Sequence, residues 1–235
     1  MKLHGLQKLT LLDYPGKVAA TLFLGGCNFR CPFCQNAGLV RNPEAEAVIP
    51  TEEVFAFLKK RQGILDGVCI TGGEPTLEKD LELLIREIRE MGYLIKLDTN
   101  GSRPEVLQAL VGKGLLDYVA MDIKSSLAGY EKAAGLSSAS RHLLEAVEES
   151  ARFLMACGVD YEFRTTVVRE LHTAEDFSAI ARWLGGCRRY YLQAYQDSDN
   201  ILLPGVFHSY TRAELEEFRK ILLKKIPLVE IRGID

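Results

Sequence analysis

The chain has 235 residues, of which 47% are hydrophobic and 26% charged, a composition typical of a globular protein with a large core. Its formal net charge of −3 lacks the basic excess of nucleic-acid-binding proteins, so nucleic acid is not expected as a partner. No stretch has the length and apolarity of a membrane span, and the N-terminal residues lack the apolar run of a secretory signal. We therefore predict a cytoplasmic protein without a membrane partner.

Six short apolar strands are predicted to alternate with helices along the chain. The predicted strands are 18–24, 67–71, 94–97, 118–123, 161–168 and 190–195, with a closing extended segment at 228–231. Thr51, Ser102, Thr173 and Thr211 are expected to open helices as N-capping residues, and Gly92 is expected to end one. A further amphipathic helix is predicted between about residues 140 and 158.

Short apolar strands joined by helices usually form a parallel α/β sheet, which is either an open doubly wound sheet or a partial barrel. Both architectures place active sites at the carboxyl ends of the strands. Asp98, Asp122, Lys124 and Gln196 follow successive strands and would converge more naturally at the rim of a curved sheet. We therefore predict a partial (β/α)6 barrel of the TIM type. The lack of linkers and repeats predicts a single domain over residues 1–235.

Cys27, Cys31 and Cys34 lie in one short segment after the first predicted strand. Cysteine thiolates bind iron–sulfur clusters, and a four-iron cluster normally takes four of them. Three closely spaced thiolates therefore predict a [4Fe–4S] cluster with one iron open to a ligand that is not protein. The alternatives are three unrelated core cysteines or a structural zinc site, and the zinc site lacks the second ligand pair that such sites usually have. The other three cysteines are expected in the core: Cys69, Cys157 and Cys187.

Five motifs, in their order along the chain, resemble those of radical S-adenosylmethionine (SAM) enzymes. They are Asp13-Tyr14-Pro15-Gly16, the cysteine motif, Gly72-Gly73-Glu74-Pro75, Asp98-Thr99-Asn100-Gly101 and Asp122-Ile123-Lys124. Within that family the chain resembles the activators of glycyl radical enzymes, and especially the anaerobic ribonucleoside-triphosphate reductase activating proteins. The cysteine motif is highly specific, whereas the other motifs carry weight only together.

The resemblance implies how the cofactors would be held. The three cysteines would ligate three irons, and SAM would chelate the fourth iron through its amino and carboxylate groups. Gly72, Gly73 and Glu74 would meet the methionine amino group through backbone carbonyls, and glycine permits such a close approach. Considered without the family, these residues form a plain strand-to-helix turn.

Three further positions resemble cofactor contacts of the family. Phe33 corresponds to an aromatic residue near the adenine, with an ordinary core phenylalanine as the alternative. Lys124 corresponds to a lysine that contacts the cofactor, with a surface charge as the alternative. Gln196 stands where the pyruvate formate-lyase activator has a cofactor-contacting histidine, and Gln35 stands where many activators carry another histidine. Both glutamines still donate hydrogen bonds, so the departure bears on the subclass of activator and not on cofactor binding.

The resemblance also implies a cation site and a partner-facing pair. Asp98, Thr99 and Asp122 correspond to residues that hold a monovalent cation, a hard ion that suits oxygen ligands. Alternatively, Asp98 merely begins an Asx turn. Asp13 and Arg164 correspond to a pair near the docked glycine loop of the partner enzyme, with a structural ion pair or a turn residue as the alternative.

The implied reaction passes one electron from the reduced cluster to the sulfonium of SAM, which breaks a carbon–sulfur bond and gives methionine and a 5′-deoxyadenosyl radical. That radical takes a hydrogen atom from a backbone glycine of a partner glycyl radical enzyme under anaerobic conditions. A one-electron donor such as a flavodoxin or ferredoxin is implied as a second partner.

Two alternative functions stay open. One is a radical SAM enzyme acting on a small molecule, such as a 7-carboxy-7-deazaguanine synthase, and the other is a non-enzymatic iron–sulfur or zinc protein.

Overall fold

The structure is a computed structural model that describes residues 2–234 of the chain. Within these residues the strands are β1 (Leu3–Thr10), β2 (Ala19–Leu24), β3 (Gly67–Gly72), β4 (Leu94–Thr99), β5 (Tyr118–Asp122), β6 (Asp160–Val167), β7 (Tyr190–Ala194) and β8 (Val229–Arg232). The α-helices are α1 (Ala37–Arg41), α2 (Thr51–Lys59), α3 (Leu81–Glu90), α4 (Pro104–Gly112), α5 (Tyr130–Ala134), α6 (Arg141–Ala156), α7 (Ala174–Trp183) and α8 (Arg212–Leu222).

The strands follow one another in the order β1 to β8 in one sheet. β1 and β2 are antiparallel, whereas β2, β3 and β4 are parallel neighbours, as are β6, β7 and β8. A sequential order of parallel strands connected through helices is the topology of a TIM-type barrel. The predicted α/β class with a partial barrel of this type is confirmed. The prediction that one domain covers residues 1–235 stays a prediction.

The six predicted strands are present as β2 to β7, and the closing extended segment is β8. β1 was not predicted. Only its first and last residues, Leu3 and Thr10, are buried, so it has no alternating apolar pattern. It is held by antiparallel pairing with β2, a contact that depends on the tertiary fold.

The chain divides into two compact units. The N-terminal unit takes in the chain through Asn28, Gly38–Thr99 and Arg103–Ala120. The C-terminal unit takes in Phe29–Ala37, Asn100–Ser102 and the chain from Met121 onward. The cysteine segment therefore contributes Cys27 to the first unit and the other two cysteines to the second.

The N-terminal unit buries β2 and β3 almost throughout, as expected of parallel core strands. Helix α3 covers this core with residues at helical spacing: Leu81, Leu84, Ile85 and Ile88. Burying each of these side chains contributes about 1.5–3 kcal/mol. Gly92 follows the last helical turn with φ +90°, a conformation that glycine adopts readily, so the prediction that it ends the helix is confirmed.

Two predicted helix caps in the chain are wrong. Thr51 is the first residue of α2 and follows Pro50, and Ser102 lies before α4, whose N-cap position is Arg103. Neither helix start has a side-chain cap. The reason at α4 is local, because the Ser102 N–H is donated to Asn100 Oδ1 over 2.9 Å, and because a proline in the first turn has no N–H to satisfy.

The C-terminal unit is organised around α7 and α8, whose predicted caps are confirmed. Thr173 and Thr211 each form a capping box with the acidic residue three positions later. The two helices pack through Phe177 and Phe218, whose rings stack with centroids 4.6 Å apart. Aromatic pairs of this kind add about 0.5–1.5 kcal/mol beyond their buried area. α8 begins after Thr211, as predicted, and ends at Leu222.

No helix within residues 2–234 is long and apolar enough to cross a bilayer. All six cysteines lie in this part of the chain as thiols outside any disulfide. Cys69 and Cys187 are buried as predicted, whereas Cys157 is only partly buried.

Candidate active site

Glycines after β3 let two backbone segments of the N-terminal unit approach closely. Gly73 donates its N–H to the carbonyl of Leu24 over 2.8 Å, and Glu74 donates to the carbonyl of Gly26 over 2.7 Å. A Cβ atom on Gly73 would lie 1.9 Å from the Gly26 oxygen, and one on Gly72, whose φ is +120°, would lie 2.2 Å from the Leu24 oxygen. Only glycine fits either position. The turn after β3 is thereby packed against the start of the cysteine segment.

The carboxylate of Glu74 is fully buried and accepts hydrogen bonds from groups of the protein. Its Oε1 accepts hydrogen bonds from the Thr76 N–H over 3.1 Å, the Thr76 hydroxyl over 2.6 Å and the Thr99 hydroxyl over 2.8 Å. The side chain thus ties the turn after β3 to the end of β4. This leaves the predicted contact of Glu74 with a cofactor to its backbone.

A buried lysine, Lys96, lies beside Asp98 on β4, and none of the predicted sequence motifs includes it. The two residues are two positions apart on one strand, so their side chains share a face and form an ion pair. The Lys96 side chain is 1% exposed and that of Asp98 is 11% exposed. Cys69, the neighbour of Lys96 across the strands, donates its Sγ–H to Asp98 Oδ1 over 3.6 Å. A lysine within an otherwise apolar strand was the signal that could have revealed this pair.

Cys31 and Cys34 lie in a loop of the C-terminal unit that backbone hydrogen bonds hold in place. The Cys34 N–H donates to the Cys31 carbonyl over 3.0 Å and closes a tight turn. Leu202 and Leu203 donate their N–H groups to the carbonyls of Cys34 and Pro32 over 3.0 and 2.9 Å. Backbone hydrogen bonds therefore fix the shape of the loop around Cys31 and Cys34.

Asp122, Lys124 and Arg164 form a group of ion pairs in the C-terminal unit. Asp122, at the end of β5, accepts from Arg164 Nε over 2.5 Å and from Lys124 Nζ over 2.9 Å. Burial raises the pKa of Asp122, but Arg164 and Lys124 together lower that pKa far below its usual range. Burial lowers the pKa of Lys124, while Asp122 and then Cys31 and Cys34 raise that pKa by more. All three groups are therefore charged at neutral pH.

The donor set fits an iron–sulfur cluster. The three predicted ligands are thiols, and the Lys124 ammonium lies within electrostatic range of Cys31 and Cys34, so the loop places sulfur donors near a positive charge. Within residues 2–234 no three His, Cys, Asp or Glu side chains meet around a point that one metal ion could occupy. Thiolates around a cluster bind different irons, so a cluster does not require such a meeting point.

His172 holds the backbone of Lys124 in place, and this residue too lies outside the predicted sequence motifs. The ring is fully buried. Its Nδ1 accepts the Val168 N–H over 3.1 Å, which assigns the ring proton to Nε2, and Nε2 donates to the Lys124 carbonyl over 2.7 Å. Burial lowers the pKa of His172, so the ring is neutral at physiological pH. Its place directly before a capping threonine was at most a weak signal.

Phe33 and Gln196 lie in different surroundings of the C-terminal unit. Phe33 is 3% exposed and packs edge-on to His172 and Phe207, with centroids 6.1 and 6.2 Å away. This is the packing of the core alternative, and its predicted place near an adenine stays a prediction. Gln196 is exposed, and its carbonyl accepts a hydrogen bond from Gln35 Nε2 over 3.4 Å. Gln35 and Gln196, the two positions at which this chain departs from the family pattern, are therefore neighbours.

Asp13 and Arg164, the residues predicted to face a partner, each have a contact within their own unit. The Asp13 carboxylate accepts the Thr21 hydroxyl over 2.6 Å, and Arg164 pairs with Asp122. Both side chains are thus held in fixed positions, and their roles stay predictions.

The residues predicted to hold a monovalent cation do not fit one. Asp98 is paired with the Lys96 ammonium, and both oxygens of Asp122 accept from cationic side chains. The Thr99 hydroxyl donates to Glu74. The carboxylates of Asp98 and Asp122 are therefore already paired with positive charges of the protein, which disfavours a further cation beside them.

We expect the wild-type protein to be indifferent to the choice of Na⁺, K⁺ or choline at one ionic strength. Lys96→Met removes the ammonium beside Asp98, and breaking a buried ion pair in this way costs about 3–5 kcal/mol. The thermal midpoint of Lys96→Met should therefore fall and should recover partly in Na⁺ or K⁺ but not in choline. Exposed Lys60→Met is the matched control. A wild-type midpoint that itself requires Na⁺ or K⁺ would show that a cation binds beside Lys96.

Residues 21–184 match the family model of the Radical SAM superfamily, which covers more than half of the chain. The chain therefore belongs to the radical SAM superfamily, and membership implies a [4Fe–4S] cluster and SAM as cofactors.

Among curated relatives, a Methanocaldococcus jannaschii protein provisionally named a glycyl-radical enzyme activating enzyme is 32% identical over 98% of this chain and 95% of its own length. A 7-carboxy-7-deazaguanine synthase of Bacteroides thetaiotaomicron is 33% identical, over 39% of this chain and 46% of its own. Among solved structures, SuiB of Streptococcus suis bound to SAM superposes with a TM-score of 0.68 at 15% identity. That superposition covers 91% of this chain but about half (52%) of SuiB, and it shows the shared fold.

Proposed function

We propose that this chain activates a glycyl radical enzyme, with an anaerobic ribonucleoside-triphosphate reductase as the expected partner. Overall, one electron, one SAM and the Cα–H of one partner glycine would give methionine, 5′-deoxyadenosine and a glycyl radical. The observation that carries the proposal is the end-to-end match with the M. jannaschii relative, which spans 98% of this chain and 95% of the other. The match to the deazaguanine synthase covers 39% of this chain.

In this proposal the cluster and SAM, when bound, supply the radical chemistry. Cys27, Cys31 and Cys34 hold the cluster, and the backbone around Gly72 and Gly73 receives the methionine end of SAM. The tight packing at Gly73 supports that role, because it fixes the backbone that would meet the ligand.

Charged side chains have separate roles in the proposal. Lys124 contacts polar groups of SAM, Asp122 holds the Lys124 ammonium in place, and Arg164 faces the glycine loop of the partner. Asp13, held by Thr21, faces the same loop. Phe33 and Gln196 contribute to the cofactor pocket. We further propose a one-electron donor of the flavodoxin or ferredoxin type and a cytoplasmic location.

Partner activation tests the function directly. The anaerobically reconstituted protein is incubated with SAM, a reductant and an anaerobic ribonucleoside-triphosphate reductase as the candidate partner. The expected result is a glycyl radical signal in electron paramagnetic resonance, with deuterium passing from [α-²H]glycine-labelled partner into 5′-deoxyadenosine. SAM cleavage coupled to a small deazapurine precursor, without any such transfer, would instead establish the small-molecule alternative.

Arg164→Ala separates partner recognition from cofactor cleavage. We expect partner activation to fall roughly 30-fold, the effect of an interface residue worth about 2 kcal/mol. SAM cleavage without partner should fall far less, because Lys124 still pairs with Asp122. Arg86→Ala, which removes an exposed arginine of α3, is the control. Equal losses of both activities would count against a partner-facing role for Arg164.

A further inference from the structure

A cavity of about 230 Å³ opens at the carboxyl ends of β6, β7 and β8 in the C-terminal unit. Its lining includes Thr166, Gln193, Gln196, Gln35 and Arg232. The volume is below the about 300–1,000 Å³ of pockets that enclose whole small-molecule ligands.

Strand register places the central lining residues in one row. Thr166 of β6 pairs with Gln193 of β7, and Gln193 pairs with Arg232 of β8. Paired residues of neighbouring strands project from the same face of a sheet. Arg164 lies two residues before Thr166 on β6 and therefore shares that face. The row thus continues the sheet surface that carries the proposed partner-facing arginine.

The charge of the cavity is neutralised by the protein. Arg232 donates two hydrogen bonds to the carboxylate of Glu162, over 2.8 and 3.1 Å, and the Glu162 side chain is 1% exposed. The guanidinium also lies 3.2 Å from the ring centroid of Tyr191. A cation held in this way has little attraction left for an anionic ligand. A carboxylate or phosphate would lose its hydration here without gaining a matching charge.

The neutral groups of the lining have unused hydrogen-bonding capacity. Within residues 2–234 the carboxamide of Gln193 and the hydroxyl of Thr166 form no side-chain hydrogen bond to the protein, although both residues are partly buried. Gln196 uses its Nε2 to donate to the Gly233 carbonyl over 3.1 Å, and Gln35 uses its Nε2 on Gln196. The carboxamide oxygens of both remain available as acceptors.

We infer that this cavity binds the peptide backbone of the protein substrate beside its reacting glycine. A carboxamide offers two donors and one acceptor and so pairs with the N–H and C=O of a peptide unit. A small, uncharged and polar cavity suits a stretch of backbone with few side-chain atoms better than a charged metabolite. The inference rests on the proposed function and adds the residues that recognise the backbone of the substrate, chiefly Gln193 and Thr166.

Substitution of Gln193 tests the inference. Gln193→Met keeps the side-chain length and removes the carboxamide. We expect the KM for the partner enzyme to rise about 10-fold, as for a lost substrate hydrogen bond, while partner-free SAM cleavage stays within about 2-fold. Thr166→Val provides a second, nearly isosteric variant should the first fold poorly. Gln62→Met, an exposed glutamine of the N-terminal unit, is the matched control.

A competition experiment checks the chemical class of the ligand. Acetyl-triglycine amide should inhibit partner activation by the wild-type protein and should inhibit Gln193→Met much less, whereas acetate or phosphate at the same concentration should not inhibit. Normal KM values in both variants, with active wild-type protein, would overturn the inference and leave the proposed function standing. Wild-type protein that activates no glycyl radical enzyme would overturn both. Inhibition by the anions would show that Arg232 serves a charged substrate.

Discussion

Replacing Cys31 by alanine is expected to abolish cleavage of SAM while the protein stays folded. The thiol is one of three predicted cluster ligands, and losing it should exceed the roughly 10–100-fold cost of losing a supporting contact at a metal site. The fold should survive because the loop is held by backbone hydrogen bonds, among them those from Leu202 and Leu203. Alanine at this position keeps all of these bonds.

The measurements for Cys31→Ala are iron content and absorbance after anaerobic reconstitution, 5′-deoxyadenosine formed from SAM, and circular dichroism of the unreconstituted protein. Cys157→Ala is the control, because Cys157 is a partly buried thiol at the end of α6, outside the cysteine segment. Unchanged cleavage by Cys31→Ala would contradict its assignment as a ligand. An unfolded variant would show that the cysteine is structural as well.

Gly73→Ala should be the most destabilising alanine substitution that we propose. The new Cβ would lie 1.9 Å from the carbonyl oxygen of Gly26 and 2.6 Å from the carbonyl carbon of Gly26. The clash is therefore with backbone atoms, and no side-chain rotation relieves it. We expect the free energy of unfolding to fall by about 3 kcal/mol or more. The displaced segment begins one residue before Cys27, so cluster retention should fall as well.

Urea unfolding of the apoprotein measures the stability change, and iron per chain after reconstitution measures the effect on the cluster. Gly112→Ala is the matched control, since within residues 2–234 no heavy atom beyond its chain neighbours and the backbone of its own helix lies within 4 Å of its Cβ position at the end of α4. That substitution should be neutral or should stabilise by about 0.5–1 kcal/mol. A loss below about 1 kcal/mol for Gly73→Ala would show that the two segments separate easily.

Most of the strands could be predicted from sequence because their signal is local. β2 to β7 are short apolar runs, several of them bounded by glycine, and a strand of this kind is buried wherever it lies in a parallel sheet. β1 depends on pairing with β2, and the five-residue helices α1 and α5 are too short to be stable without tertiary contacts. No local pattern marks such elements.

The helix caps likewise divide into those that a local sequence pattern predicts and those that it does not. Thr173 and Thr211 were predicted correctly because a capping box needs residues only three positions apart. Ser102 had that spacing too, yet its N–H is given to Asn100 and the helix starts at Pro104. A competing local hydrogen bond decided the outcome.

The sequence by itself determined the superfamily, because the cysteine motif and the glycine motif after β3 are each formed by residues that lie close together along the chain. Only the tertiary structure decided which charges are matched. Lys96 neutralises Asp98, Arg164 and Lys124 share Asp122, and Arg232 is held by buried Glu162. The physical reason is that ion pairing depends on the distance and burial of groups that strand register brings together.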